Sequence, residues 1–243
     1  FIIHMLSDFP KVRKELPKAY QDIYESHYMK NREGETAATS VSQKMEKWLH
    51  KMVAADLNGK EDVSTLEIGA GTLNQLRYEN TAPYDIIEPF KSLYDGSPLL
   101  PKVRNTFDDI DEIDSTHKYN RIISIATFEH ICDLPQVVAK SCLLLANEGT
   151  LRVAIPNEGT ILWTLGWKLT TGLEYKLKYG LDYKVLMEYE HVNTADEIEL
   201  VLKHFYKNVK HKVFGLSRKL AFYRFYECSQ PDVEKARAFL GQI

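Results

Sequence analysis

Apolar positions along the chain follow two rhythms. Up to about Asn58 they recur at three- and four-residue intervals among Lys, Glu, Tyr and Met; from Val63 they gather into short, regularly spaced runs. In the first region Val41, Met45, Trp48, Leu49, Met52 and Val53 share one stripe, which predicts a helix with one face against a core. Ser40 with Gln43 has the capping-box spacing at its start, and Asn58-Gly59, which both accept the left-handed conformation, is expected to end it. The later runs Ser64–Ile68, Tyr84–Glu88, Lys102–Thr106, Arg121–Ala126 and Thr150–Ile155 are predicted strands separated by stretches of helical or loop length. Strand and helix in alternation is the pattern of a parallel sheet covered on both faces. Thr194 with Glu197 opens a further helix through about Phe205. Val209–Phe214 and Leu220–Glu227, joined through Gly215-Leu216-Ser217-Arg218, read as an antiparallel pair. The expectation is a doubly wound α/β chain. It has a mostly parallel seven-stranded sheet with a C-terminal antiparallel pair, N-terminal helices and a helical insertion after the fifth strand.

Composition narrows the partners. The 243 residues are 44% hydrophobic and 27% charged, which suits one α/β domain with additions. The first residue is Phe1 rather than Met, which reads as a trimmed start. A formal net charge of −3 with interspersed signs gives no electrostatic footprint for nucleic acid. No apolar run approaches membrane-spanning length. Cys132, Cys142 and Cys228 are odd in number and widely spaced, so neither a disulfide framework nor a cysteine metal site is expected. A cytoplasmic location follows from that reading. No His/Asp cluster has metal-ligand spacing either, and no metal is expected.

The candidate chemistry starts where the first predicted strand ends, in Glu67-Ile68-Gly69-Ala70-Gly71-Thr72-Leu73-Asn74. Glycines at both positions let the backbone approach a ligand closely, and a helix should follow. Glu88 closes the next strand in Ile87-Glu88-Pro89, roughly 20 residues on, where a carboxylate can accept both ribose hydroxyls. Asn74 stands where a dinucleotide fingerprint has its last Gly, and no Gly-Lys-Ser/Thr makes a P-loop. Glu67 would repel a pyrophosphate but suit a ligand with a cationic amino-acid part.

These residues resemble the class I, Rossmann-like S-adenosylmethionine-dependent methyltransferases, of the type 11/12 kind. Glu67-x-Gly69-x-Gly71, including Ala70, is similar to their first motif, and Glu88 with Pro89 to their ribose-binding acid. Phe107-Asp108-Asp109-Ile110 resembles the place where an Asp meets the adenine amino group; spacing favours Asp109, with Asp108 close behind. Tyr119 to His130, containing Ala126 and Thr127, resembles the fourth-strand motif, and Leu143 to Leu151 the segment after it. The resemblance spans Val63 to Pro156 and departs at two positions: Leu73 replaces the usual third Gly, and Asn120 the usual Asp. It implies S-adenosyl-L-methionine as cofactor and S-adenosyl-L-homocysteine as product.

Removing the acceptor's proton calls for a base, and histidine suits this best. His130, just after the fourth strand, and His191, before the capped helix, are the candidates, with Glu129 and Glu190 as carboxylates able to orient them or act themselves. Residues 1–58 read as a helical lid or extension, with Tyr24, Tyr28, Asn31 and Arg32 in its polar part; 59–243 read as the core. The insertion at about 160–190 carries Trp163, Trp167, Tyr175, Tyr179, Tyr183 and Tyr189, which fits an acceptor site, a packed cap or a homodimer contact. Tyr28 to Gly34, Met45 to Trp48 and Glu190 to Asn193 more loosely resemble bacterial methyltransferases of surface-polysaccharide clusters. This points to O-methylation of a sugar or related small molecule. Methylation of an amine or a protein, and a cofactor-binding pseudoenzyme, remain alternatives.

Overall fold

In the computed structural model, residues 6–24 and 40–241 are described. Seven strands form one sheet: β1 (Thr65–Ile68), β2 (Tyr84–Ile87), β3 (Asn105–Phe107), β4 (Tyr119–Ile125), β5 (Leu145–Pro156), β6 (Tyr206–Gly215) and β7 (Ala221–Pro231). Their order is β3-β2-β1-β4-β5-β7-β6. The first five pair in parallel, whereas β7 runs antiparallel to both β5 and β6. Among the described helices are α1 (Ser40–Ala54), α2 (Leu134–Leu144), α3 (Ile161–Leu169), α4 (Thr171–Tyr179), α5 (Tyr183–Glu190), α6 (Ala195–Phe205) and α7 (Val233–Leu240), besides a helical turn in the N-terminal stretch.

Alternation along the strands builds two cores. Leu66, Ile122, Leu151 and Val153 join α2 and α6 through Val138, Ile198 and Leu202. On the opposite face Ile86, Ile123, Ala154 and Phe225 meet Leu49 and Val53 of α1. Of the predicted stripe of α1, Leu49 and Val53 are buried in this core and Trp48 and Met52 pack against it. A third cluster joins Leu16 and Tyr20 of the N-terminal stretch to Tyr175, Tyr183, Leu186 and Met187 of the insertion. Helix α3 leaves Ile161 and Leu169 exposed at one end of this cap. No described helix is long and apolar enough to cross a membrane.

Several boundaries differ from expectation. The third strand begins at Asn105 rather than Lys102, because residues 100–102 form a 3-10 turn and Asp85 captures both Arg104 and the Asn105 N–H. No α-helix follows the Gly-x-Gly turn. Leu73 sits at φ +64°, left-handed, and only a 3-10 turn over Asn74–Arg77 forms. A left-handed residue at that point turns the chain away from helical continuation. Gly59 is left-handed as expected, but Asn58 is extended, and a 3-10 turn over Ala55–Leu57 ends α1. Helix α7 was not anticipated, although Val233, Ala236 and Leu240 have helical spacing and the Asp232 side chain accepts from the Lys235 N–H. The Ser40–Gln43 box and Tyr28, Asn31 and Arg32 lie outside the described side chains. Thr194 and Glu197 do form a complete capping box. Asn120, where the resembled family has Asp, accepts from the Ser64 N–H and hydroxyl, tying the starts of β4 and β1 together.

Candidate active site

The sheet order reverses between β1 and β4, and a crevice opens at the carboxyl ends of the strands, where ligands bind in folds of this kind. Two adjoining cavities occupy it. The larger, of about 830 Å³, is lined by Gly69, Glu88, Pro89, Asp109, Ile110 and Thr127, among others. The smaller, of about 280 Å³, is lined by Ala126, Glu129, His191, Trp163, Trp167 and Tyr223 with others. His130 and Glu190 belong to both.

The larger cavity thus gathers most of the residues expected at the cofactor. Glu88 is 4% exposed, yet it lines the cavity. Its Oε2 accepts from the Gly71 N–H at 2.8 Å and its Oε1 from the Phe90 N–H at 3.1 Å. Gly69 lies at φ +74°, and a Cβ there would stand 2.3 Å from the Thr127 side chain, so glycine is what lets β1 and β4 end side by side. Asp109, favoured over Asp108 by spacing, is the acid on the cavity wall; its Oδ1 accepts from the Asp111 N–H. Asp108 lies off that wall, and its N–H donates to Glu112. Ala126, expected at the cofactor, instead faces the smaller cavity, held at φ +48°. Ala70 is packed into the α1-side core.

Glu67 is placed behind the cavity rather than on its wall. It accepts a 2.6 Å hydrogen bond from the Tyr84 hydroxyl, and burial pushes its pKa up to about 8. A carboxyl whose folded pKa exceeds its unfolded one favours folding while protonated, fully so below about 4.5, and that contribution is lost as pH rises towards about 8. Wild-type stability should therefore fall by about 2 kcal/mol between pH 6 and pH 7.5 through this group alone. Glu67→Gln should flatten that dependence in urea unfolding; parallel curves for the two proteins would show that Glu67 ionises freely.

The two histidines sit against each other, with ring centroids 4.8 Å apart. His191 Nδ1–H donates to Glu158 Oε2 at 2.7 Å, and the Trp163 indole N–H donates to the same oxygen at 2.6 Å. Burial opposes charge on Glu158, but these two bonds hold its carboxyl below the usual range. Burial likewise opposes charge on His191; the Glu158 bond and the carboxylates of Glu129, Glu158 and Glu190 outweigh it and raise the imidazole. His130 Nδ1–H donates to the Glu190 carbonyl at 2.9 Å, and its Nε2 lies 3.7 Å from Glu129 Oε1.

Sequence reasoning missed the residue that fastens these segments. Arg13 donates to the carbonyls of Tyr189 and Glu190 at 2.8 and 3.2 Å and to that of His130 at 2.5 Å. It therefore locks both histidine-bearing loops to the N-terminal stretch, and no local pattern around it signals this. Phe90, Ser92 and Leu93 on the larger cavity were also missed, as was Glu158 beside His191, whereas Tyr189 of the insertion lines that cavity.

No protein-family model matches the chain, and no curated protein matches it. Solved structures do. The plantazolicin methyltransferase BpumL, in complex with a pentazolic desmethylPZN analog and SAH, is 14% identical over 94% of this chain and 98% of its own, with a TM-score of 0.62. The N-methyltransferase NodS from Bradyrhizobium japonicum WM9, in complex with S-adenosyl-l-homocysteine, is 12% identical over 88% of this chain and all of its own, with a TM-score of 0.57. The CurJ carbon methyltransferase is 18% identical over 87% of this chain, which spans 61% of that chain's length, with a TM-score of 0.56. At such identities the likeness is one of architecture, and the architecture of this chain is that of the class I, Rossmann-like methyltransferases.

Proposed function

We propose that this chain is an S-adenosylmethionine-dependent methyltransferase acting on a small molecule held in the smaller cavity. The observation that carries the reading is the pair of adjoining cavities that share His130 and Glu190 at the switch point of a methyltransferase-type sheet. The larger is of the size that takes a nucleoside-bearing ligand, and its wall combines Ile68, Ile87, Ile110 and Val137 with the acids Glu88, Asp109 and Glu190. Glu88 would accept from ribose hydroxyls, since a carboxylate has lone pairs beyond those used by Gly71 and Phe90. Asp109 would meet the adenine amino group, and the apolar residues would cover the ring faces. When bound, the cofactor supplies a sulfonium-activated methyl group.

This chain's own residues then have three tasks: holding the acceptor in line, taking its proton and keeping water out. Trp163, Trp167, Tyr183 and Tyr223 wall the smaller cavity with flat faces suited to a sugar or other ring. His191, fixed in its Nδ1–H tautomer by Glu158, is positioned to take the proton at Nε2, with His130 beside it in the same tautomer. A hydroxyl of a saccharide or related metabolite is the acceptor this reading favours. The carboxylates of Glu129, Glu190 and Glu158 around an aromatic wall favour an amine as the second reading.

Calorimetric titration with S-adenosylmethionine and S-adenosylhomocysteine, with NAD as control, tests the cofactor. Micromolar binding of the first two and none of NAD is expected; no binding of either would overturn the reading in favour of a lapsed site in an interaction protein. Panels of hydroxylated and amine acceptors then separate the two acceptor classes. With a turned-over acceptor in hand, His191→Ala should lower kcat by about 10²–10⁴-fold while cofactor affinity stays at the wild-type value. An unchanged kcat would remove His191 from proton transfer.

A further inference from the structure

Glu129, His130 and His191 converge from two segments far apart in sequence. One donor atom from each lies within 4.8 Å of the others, at the wall of the smaller cavity. Spacing along the chain hid this, because Glu129 and His130 follow β4 whereas His191 follows α5. We propose that these three side chains form a binding site for one divalent transition-metal cation, open towards the acceptor.

The surroundings of the two rings carry the argument. A metal-ligating histidine characteristically gives its other N–H to a carboxylate or a backbone carbonyl, which fixes the tautomer and aims the lone pair. Both arrangements occur here. His191 Nδ1–H is held by the Glu158 carboxylate at 2.7 Å, and His130 Nδ1–H by the Glu190 carbonyl at 2.9 Å. On each ring Nε2 is therefore the ligating nitrogen, and that of His130 already stands 3.7 Å from Glu129 Oε1. The rings meet edge to face at 75° rather than stacking. Glu129 is 1% exposed, and a cation beside it would balance a carboxylate held away from water.

Donor chemistry selects the metal. Two imidazoles and one carboxylate suit Zn²⁺, Co²⁺, Fe²⁺ or Mn²⁺, whereas Mg²⁺ and Ca²⁺ take oxygen donors. Tetrahedral ligands at about 2.0–2.2 Å from one cation lie about 3.3–3.6 Å apart, so the site closes with side-chain shifts of about an ångström. Three protein ligands leave at least one position open, and the three line the same cavity as Trp163, Trp167 and Tyr223. With a cation bound, the Nε2 lone pair of His191 is engaged and does not take the proton; an acceptor oxygen or nitrogen in that cavity would complete the coordination and be made more acidic by the cation. The metal site stands on the geometry alone; its role at the acceptor rests on the methyl-transfer reading.

Cobalt(II) titration of the metal-stripped full chain tests this, followed by visible absorption and by calorimetry. Saturation at one Co²⁺ per chain with ligand-field bands is expected. His191→Ala and Glu129→Gln should each weaken binding by at least about 100-fold, and Glu158→Ala, which touches the site only through His191, by about 10–100-fold. Circular dichroism and S-adenosylhomocysteine affinity, measured on the same samples, report whether each variant is folded. Absence of saturable binding to the wild type, or wild-type affinity in all three variants, would overturn the site. Saturable Co²⁺ with no S-adenosylhomocysteine binding would uphold the metal site and sink the methyltransferase reading instead.

Discussion

Arg121→Ala is expected to cost the fold about 3–5 kcal/mol, a large share of the 5–15 kcal/mol by which such domains are stable. Arg121 is 2% exposed in the middle of the sheet. Its guanidinium reaches Glu79 Oε2 at 2.6 Å, Asp56 Oδ2 at 2.9 Å, the Thr65 hydroxyl at 3.1 Å and the Val53 carbonyl at 3.0 Å. Arg152, equally buried on the neighbouring strand, donates to the carbonyls of Val53 and Met52. Two strand arginines therefore satisfy the end of α1, where helix carbonyls lack partners and the dipole favours positive charge. Alanine at position 121 removes packing and leaves the buried Glu79 carboxylate without its cation. Urea unfolding at pH 7 should show a lowered midpoint at an unchanged slope. The double variant Arg121→Met, Glu79→Leu should recover part of the loss, because it removes the stranded charge along with its partner. A loss below about 1 kcal/mol in the single variant would mean that water reaches the cluster.

Those arginines also mark where the sequence stopped being legible. In a strand run, Arg121 and Arg152 look like positions facing solvent; only the docking of α1 over the sheet makes them interior. What could be read was chemistry confined to a few consecutive residues. The turn after β1 and the acid ending β2 need specific residues at fixed offsets, and Gly69 and Glu88 both line the larger cavity. Strand spacing favours Asp109 over Asp108, and Asp109 is the one of the two that lines the cavity. The insertion at about 160–190 resolves into three short helices whose aromatics divide between a packed cluster and the smaller cavity. Harder to read was anything assembled across the chain. Arg13 joining two loops, Glu158 under His191 and the meeting of Glu129 with His191 depend on tertiary placement that no window of residues encodes. The helix expected after Gly71 failed for a local reason, the left-handed backbone at Leu73. That residue is fully buried in the α1-side core, so side-chain packing outweighs the backbone cost there.

Glu88→Ala should weaken binding of S-adenosylmethionine and S-adenosylhomocysteine by at least about 100-fold, or about 2.7 kcal/mol, while the fold survives. Hydrogen bonds to a charged acceptor contribute about 1.5–3 kcal/mol each, and two ribose hydroxyls would share this one carboxylate. A second effect adds to the first. Glu88 fixes the Gly71 and Phe90 amides in place, so its loss also loosens the Gly-x-Gly turn and the residues after β2 that complete the cavity. Glu88→Gln separates the two contributions. The amide keeps one acceptor oxygen for a backbone N–H but loses the charge, so a loss of about tenfold is expected. The fold should tolerate both changes, because Glu88 lies at the cavity mouth past the last residue of β2 and makes no ion pair among the described residues. Calorimetric affinity alongside thermal unfolding reads both quantities on one preparation. Wild-type affinity in Glu88→Ala would remove the ribose from this end of β2. Because that acid is what distinguishes a nucleoside site from a merely apolar crevice, the assignment of the larger cavity to the cofactor would go with it.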